Sequence, residues 1–420
     1  MSRRRVHIGF VSTHFAGTDG VSLEAQKWAS LLTSMGHECF YFAGESDRPE
    51  QRSYVVPEAH FEHPQILQLS RDLFDDYTRT SETTGTIQRL RYFLKEHIYK
   101  FTLQYALDLL IVENALSLPV NVPLGLALTE FIAETQLPAI AHHHDFPWER
   151  RRFAVTAAAD YLRAAFPPTL PSVVHVVINS FAARQLSLRT GASSVLIPQV
   201  LDFANPPPPP DGYAGGLRSA LGLSAEQAFL LQPTRIVPRK RIELAVELTR
   251  RLELDCQLVI THDSGDEGSA YEQHLRTYAE LLGVKVVFGS QVISRQRGEL
   301  PDGRRVYSLA DAYQAADLVT YPSTVEGFGN ALLETFYYGR PIVVSAYEIF
   351  KTDLQPKGFR VIGFDDFIAD ETVRHTREVL LNPEIGADMA AHNYPVGQRY
   401  YSHQILESQL ALLMTQCLGA

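Results

Sequence analysis

Residues 7–15, HIGFVSTHF, form an apolar run rich in β-branched and aromatic residues, and they end in a short loop of Gly17, Thr18, Asp19 and Gly20. Apolar residues at helical spacing follow, at Leu23, Trp28, Leu31 and Leu32, and GHECFYFAGE (36–45) returns to strand composition. Strand, glycine loop, helix, strand is a βαβ unit. Parallel strands need such crossovers, so the pattern commits the chain to a doubly wound α/β sheet.

The alternation continues. Further strands are expected at 107–113, 137–143, 173–180 and 193–198. After 204–216, ANPPPPPDGYAGG, a second alternation begins, with strands at 228–234, 256–262, 284–289, 317–322 and 340–345. Five prolines at 206–210 and a glycine cluster favour extended, then flexible chain, and this reads as a spacer. The expected division is an N-terminal Rossmann-like acceptor domain at 1–203, a linker at 204–222 and a donor domain at 223–395. A terminal helix at 396–420 would pack back on the first domain. A chain of 420 residues suits two domains of about 200 residues each. Two such sheets would face a cleft, with ligands at the carboxyl ends of the strands.

Composition narrows the function. The formal net charge of −10 argues against a nucleic-acid binder. Cys39, Cys256 and Cys417 are scattered and odd in number, which suits a reducing cytoplasm better than a disulfide framework. MSRRR at the start leads straight into strand composition at 6–12, so no secretion signal is read there. The apolar stretch 109–133 is broken by Glu113, Asn114, Pro119, Asn121, Pro123 and Glu130, which excludes a transmembrane span. A homodimer is left open.

Four places could carry chemistry. In 323–345, STVEGFGNALLETFYYGRPIVVS, Glu326 and Glu334 flank a turn of Gly327, Phe328, Gly329 and Asn330 that opens a helix. Free N–H groups at such a turn suit anions or sugar hydroxyls, and carboxylates accept from vicinal hydroxyls. Spacing alone favours two solvated glutamates. In 233–248, PTRIVPRKRIELAVEL, the cations Arg235, Arg239, Lys240 and Arg241 crowd a helix start that disfavours them. They make sense around a diphosphate, or as a basic surface turn. The loop at Gly17–Gly20 lacks full GxGxxG spacing and could simply be a tight turn. In AHHHDFPWERRRF, 141–153, neighbouring strand residues face opposite ways. His142, His143 and His144 therefore cannot share one metal without a bend, and no metal site is expected. His144 at the strand end could meet a sugar hydroxyl or an acceptor. Arg150, Arg151 and Arg152 could meet an acidic acceptor or be solvated. A basic amphipathic helix at 87–101 fits either a membrane surface or an exposed helix.

Taken together, these elements resemble glycosyltransferase family 4, which has the GT-B fold. The resemblance spans nearly the whole chain and is densest in the second domain. It rests on the E-x7-E pair Glu326 and Glu334, the Arg-x4-Lys pair Arg235 and Lys240, Pro322–Ser323, and Gly339, Arg340 and Pro341 in the family's order. The chain departs from the family at Gln199 and Val200, and at His262 and Asp263. Residues 293–308 look like an insertion.

The resemblance implies a retaining hexosyltransferase. Arg235 and Lys240 would hold the donor diphosphate, Glu334 the ribose, and Glu326 the donor sugar, with the N–H groups of Phe328, Gly329 and Asn330 assisting. Gly327, Ser290 and Gly20 would complete the donor site. His144 would line the sugar site, and Asp19, Asn114, Asp145 and Arg150 the acceptor site. The donor would be GDP-mannose or UDP-glucose, with no metal at the catalytic centre. Segments 113–124 and 142–150 resemble members that act on small soluble acceptors and make compatible-solute glycosides such as mannosylglucosylglycerate. A glycerate glycoside or a sugar phosphate is therefore the expected acceptor. A nucleotide-sugar epimerase and a non-catalytic nucleotide-sugar binder are the rival readings.

Overall fold

Seven apolar segments of the first half pair into one all-parallel sheet. In this computed structural model, which describes residues 5–17, 19–264 and 269–419, they are β1 (His7–Val11), β2 (Glu38–Ala43), β3 (Ser53–Val55), β4 (Leu109–Glu113), β5 (Ala139–His143), β6 (Val173–Val177) and β7 (Ser194–Leu196). The basic residues 1–4 and Thr18 of the glycine loop lie outside the described residues. The sheet order is β3-β2-β1-β4-β5-β6-β7. The order reverses between β1 and β4, the switch point where doubly wound sheets open a crevice.

Both faces of this sheet are covered. The helix Gly20–Ser34 buries Ser22, Ala25, Trp28 and Leu32, so the apolar stripe is narrower than Leu23 and Leu31 suggested. The basic helix lies inside Ser81–Tyr105 and buries Leu94, Ile98 and Phe101 in the core, while Arg91 and Lys95 pair with Glu130 and Glu134. Its apolar face is therefore used in packing. Among the described residues no helix is long and apolar enough to cross a membrane.

The second half builds another parallel sheet from β8 (Ala228–Gln232), β9 (Cys256–Ile260) and β10 (Val286–Phe288). The insertion forms a small sheet of β11 (Ile293–Ser294), β12 (Gly298–Glu299) and β13 (Arg305–Ser308), and then come β14 (Leu318–Tyr321), β15 (Ile342–Ser345) and β16 (Ile362–Phe364). The order is β10-β9-β8-β14-β15-β16, again with a reversal, between β8 and β14. The fold is the α/β GT-B plan of two Rossmann-like units.

The chain divides differently from the expectation. One unit comprises 1–198 and 406–420, the other 199–405. The proline-rich stretch 204–222 therefore belongs to the second unit and is not a free spacer. Asp211 takes two hydrogen bonds from the Arg297 guanidinium, at 2.6 and 2.9 Å. The Tyr213 hydroxyl donates to the Val306 carbonyl at 3.0 Å, and Gln314 donates to the Pro208 carbonyl at 2.6 Å. Composition reveals that such a segment lacks its own secondary structure, but it cannot reveal single anchoring residues.

The expected terminal helix is also two helices, Pro383–Tyr401 and His403–Leu418. They break at extended Ser402, where Leu201 N donates to Tyr401 O at 2.9 Å and His403 N donates to Leu201 O. A backbone ladder with residue 201 thus competes with the helix and wins locally.

Candidate active site

At the β8/β14 switch point, the chain after β8 carries Thr234 to Lys240 and the chain after β14 carries Pro322 to Asn330. Here Lys240 Nζ bonds to Glu326 Oε1, and Arg239 donates to Glu326 Oε2 at 3.2 Å. Both the Lys240 and Glu326 side chains are buried. Burial pushes the Glu326 carboxyl up, but Lys240 and Arg239 outweigh it and hold the group below the usual carboxylate range. Burial pulls the Lys240 ammonium down, opposed by Glu326. The net result is a buried ion pair, and such a pair is viable only with good geometry. Arg235 is exposed, and its charge lowers the pKa of both Lys240 and His262.

Gly329 sits at φ 120°, and a Cβ there would lie 2.5 Å from the Tyr347 hydroxyl. That hydroxyl donates to the Phe328 carbonyl at 2.9 Å. The turn is thereby fixed, and the helix Asn330–Tyr337 begins with no side-chain cap. A helix start of this kind presents N–H groups to which anions or hydroxyls can bind. Phe328 is buried, whereas Gly327 and Asn330 are exposed. Glu334, half-buried, accepts from the Tyr313 hydroxyl at 2.9 Å. Ser290 is exposed in the turn that follows β10. At the departure from the family, Thr261 Oγ1 lies 2.7 Å from His262 Nδ1.

At the β1/β4 switch point, Asp19 caps the helix Gly20–Ser34 through Val21 N and Ser22 N, at 3.0 and 3.1 Å. Its other oxygen meets His14 Nε2 at 3.0 Å. Burial opposes these bonds, yet together they hold Asp19 far below its usual range. Both oxygens of Asp19 are thus engaged, and Gly20 opens the helix from an exposed position. Asp145 pairs with Arg150 at 2.6 Å.

Glu113, at the end of β4, was not singled out from the sequence, yet it organises this site. It lies opposite His142 in the β4–β5 register. Its Oε2 stands 3.0 Å from His142 Nδ1 and 3.1 Å from His144 Nε2. Burial pushes this carboxyl up, and the two imidazoles bring it down to about 2. Burial lowers His144, but Glu113 more than offsets this and leaves it above the usual histidine range. His143 points to the other face and meets His175 Nδ1 at 2.9 Å. Alternation along the strand thus holds, while His142 and His144 share a face. Asn114, at φ 56°, accepts from His144 N at 2.8 Å and from Ser117 Oγ at 3.1 Å.

Ligand atoms of Glu113, His142 and His144 lie within 4.8 Å of one another, close enough to share an ion. A metal-bound imidazole ordinarily donates its other N–H to a carbonyl or carboxylate. His142 Nε2 is buried with no hydrogen-bond partner, and the ring lies flat on Trp28 at 4.3 Å between centroids. Among the described residues that ring therefore lacks the outer partner a metal-bound imidazole ordinarily has.

Known proteins provide a context for this geometry. A family model described as glycosyl transferases group 1 matches residues 217–394. The chain is 32% identical to a mannosylglucosylglycerate synthase of Thermotoga maritima, over 95% of this chain and 97% of that protein. Among solved structures, sucrose-phosphate synthase from Thermosynechococcus elongatus superposes with a TM-score of 0.66 at 16% identity, covering 99% of this chain and all of the other. Anabaena HepE in complex with UDP and glucose gives a TM-score of 0.64 at 14% identity, covering 98% of this chain and 100% of that one. These two likenesses establish the shared fold.

Proposed function

Since the chain belongs to the group 1 glycosyl transferases and is a nucleotide-sugar glycosyltransferase, we propose that it transfers a hexose from GDP-mannose or UDP-glucose to a small soluble acceptor, with retention at the anomeric carbon. A glycerate glycoside or a sugar phosphate is the acceptor class. The observation that carries this reading is the match, over nearly the full length of both chains, to a protein named mannosylglucosylglycerate synthase. The buried Lys240–Glu326 pair beside an uncapped helix start gives it a physical basis. The proposed setting is the cytoplasm.

In this reading Arg235 and Lys240 bind the donor diphosphate. An ammonium has three donors, so Lys240 can hold Glu326 and still reach phosphate oxygens. Glu326, the Gly329–Asn330 turn and His144 receive the donor sugar, and Glu334 receives the ribose. Gly327, Phe328, Ser290 and Gly20 complete the donor site. Asn114, Asp145 and Arg150 face the acceptor, as does Asp19 despite its capping role. The acceptor hydroxyl attacks the anomeric carbon from the face that the phosphate leaves. Its proton passes to the departing phosphate oxygen, and the nucleoside diphosphate is released. Fixed cations at that phosphate stabilise the growing charge, and no metal is invoked.

A thermal-shift panel of GDP, UDP and ADP with their sugar conjugates tests the donor. A ligand at 100-fold its Kd stabilises by about 2.7 kcal/mol. One nucleotide standing out supports the reading, and acceptor products are then read by NMR for the anomeric configuration. A panel with no shift, or an inverted product, counts against it. Interconversion of sugars without acceptor would instead indicate an epimerase.

A further inference from the structure

Glu113 is fully buried, and a buried carboxylate requires a compensating charge. Among the described residues no lysine or arginine pairs with it; only His142 and His144 do. His142 lies flat on Trp28, and its Nε2 has no partner among the described residues, so its one polar contact is Nδ1 with Glu113. His144 carries compensating charge: burial lowers its pKa, but its bond to Glu113 and the charges of Glu113, Glu24 and Asp145 together raise it. His144 Nε2 is committed to Glu113, which leaves Nδ1 as the nitrogen that can reach a ligand. The next residue, Asn114, holds the His144 backbone N–H from a left-handed conformation that few non-glycine residues adopt. Two consecutive residues thus grip one histidine by ring and by backbone. A strand end needs no such bracket for packing alone.

We propose that Glu113 is a positioning residue of the transfer reaction: by accepting from His142 Nδ1 at Oε1 and from His144 Nε2 at Oε2, it fixes His144 as a cationic donor through Nδ1. His144 then donates to an accepting oxygen, such as a sugar ring or hydroxyl oxygen or an acceptor carboxylate, and does not serve as a base. This rests on the reading that His144 lines the sugar site.

Two measurements on the full chain test it separately from that reading. In ¹⁵N-histidine NMR at neutral pH, His144 should show both ring nitrogens protonated, and Glu113→Gln should abolish that signature. A neutral His144 in the unmutated protein overturns the proposal, whether or not the protein transfers sugar. So does a stoichiometric transition metal in elemental analysis. The second measurement is a double-mutant cycle with Glu113→Gln and His144→Gln, using UDP-glucose or GDP-mannose, whichever the chain turns over. Each single change should lower kcat by roughly ten- to a hundredfold, the range of coupling within one hydrogen-bond network. UDP or GDP binding should be unchanged, and the double variant should lose no more than either single one. Multiplying losses would show that the two residues act independently, and a loss confined to thermal stability would assign Glu113 to folding alone; either result overturns the proposal. If Glu113→Gln fails to fold, Glu113→Asp takes its place, and it should retain both the NMR signature and measurable turnover.

Discussion

Lys240 and Glu326, 86 positions apart in the chain, meet as a buried ion pair at the reversal of the second sheet. Removing one partner strands the other. Glu326→Gln should cost about 3–5 kcal/mol of stability, read from the urea midpoint. Adding Lys240→Met should recover most of that stability while sugar transfer stays lost. Recovery of transfer along with stability would show that the pair serves folding only. Nucleotide binding should survive Glu326→Gln.

Arg235 is exposed, so its truncation separates chemistry from stability. Arg235→Ala should leave the melting temperature within about two degrees, as expected for a surface site. It should remove about 2–4 kcal/mol of transition-state stabilisation, read from kcat/KM. A loss under about tenfold would count against the diphosphate role.

Gly329 occupies φ 120° with the Tyr347 hydroxyl where a Cβ would go. Gly329→Ala should destabilise by about 1–3 kcal/mol through backbone strain and displacement of that hydroxyl. Tyr347→Phe in the same background should relieve part of the clash, seen as a partial return of the thermal midpoint.

The His143–His175 pair makes a pH prediction. Burial lowers both, His175 to about 4. A depressed histidine is neutral in the fold while the unfolded chain binds a proton. Its effect is therefore absent above the unfolded value near 6.5 and grows as pH falls towards the folded value. Stability should drop between about pH 6.5 and 4 by roughly 3 kcal/mol for His175 alone. Glu113 acts in the same direction lower down, because its depressed carboxyl loses its contribution as pH falls from about 4.5 towards 2. Urea midpoints across this range check the order of the two losses.

The two doubly wound sheets could be read from the alternation of apolar runs, whereas Glu326, Glu334, Arg235 and Lys240 stood out only through their order's resemblance to a family, because spacing alone favours solvated glutamates and a basic surface turn. Glu113 could not, because its role depends on the register that sets it opposite His142, and register is a property of two strands together. The short strands β3 and β16 fall outside the expected strands. The break at Ser402 depends on a partner at Leu201, about 200 positions earlier in the chain.

The anchored proline segment matters for anyone who cuts this gene. A fragment that starts at 223, where regular alternation resumes, would lose Asp211 from Arg297, Tyr213 from the small sheet and Leu201 from the ladder at Ser402. It would also strip Phe203 from the hydroxyl of Tyr394, whose bond to the Phe203 carbonyl is 2.9 Å. The second compact unit begins at Gln199 and runs to Ile405, so the prolines are part of its wall.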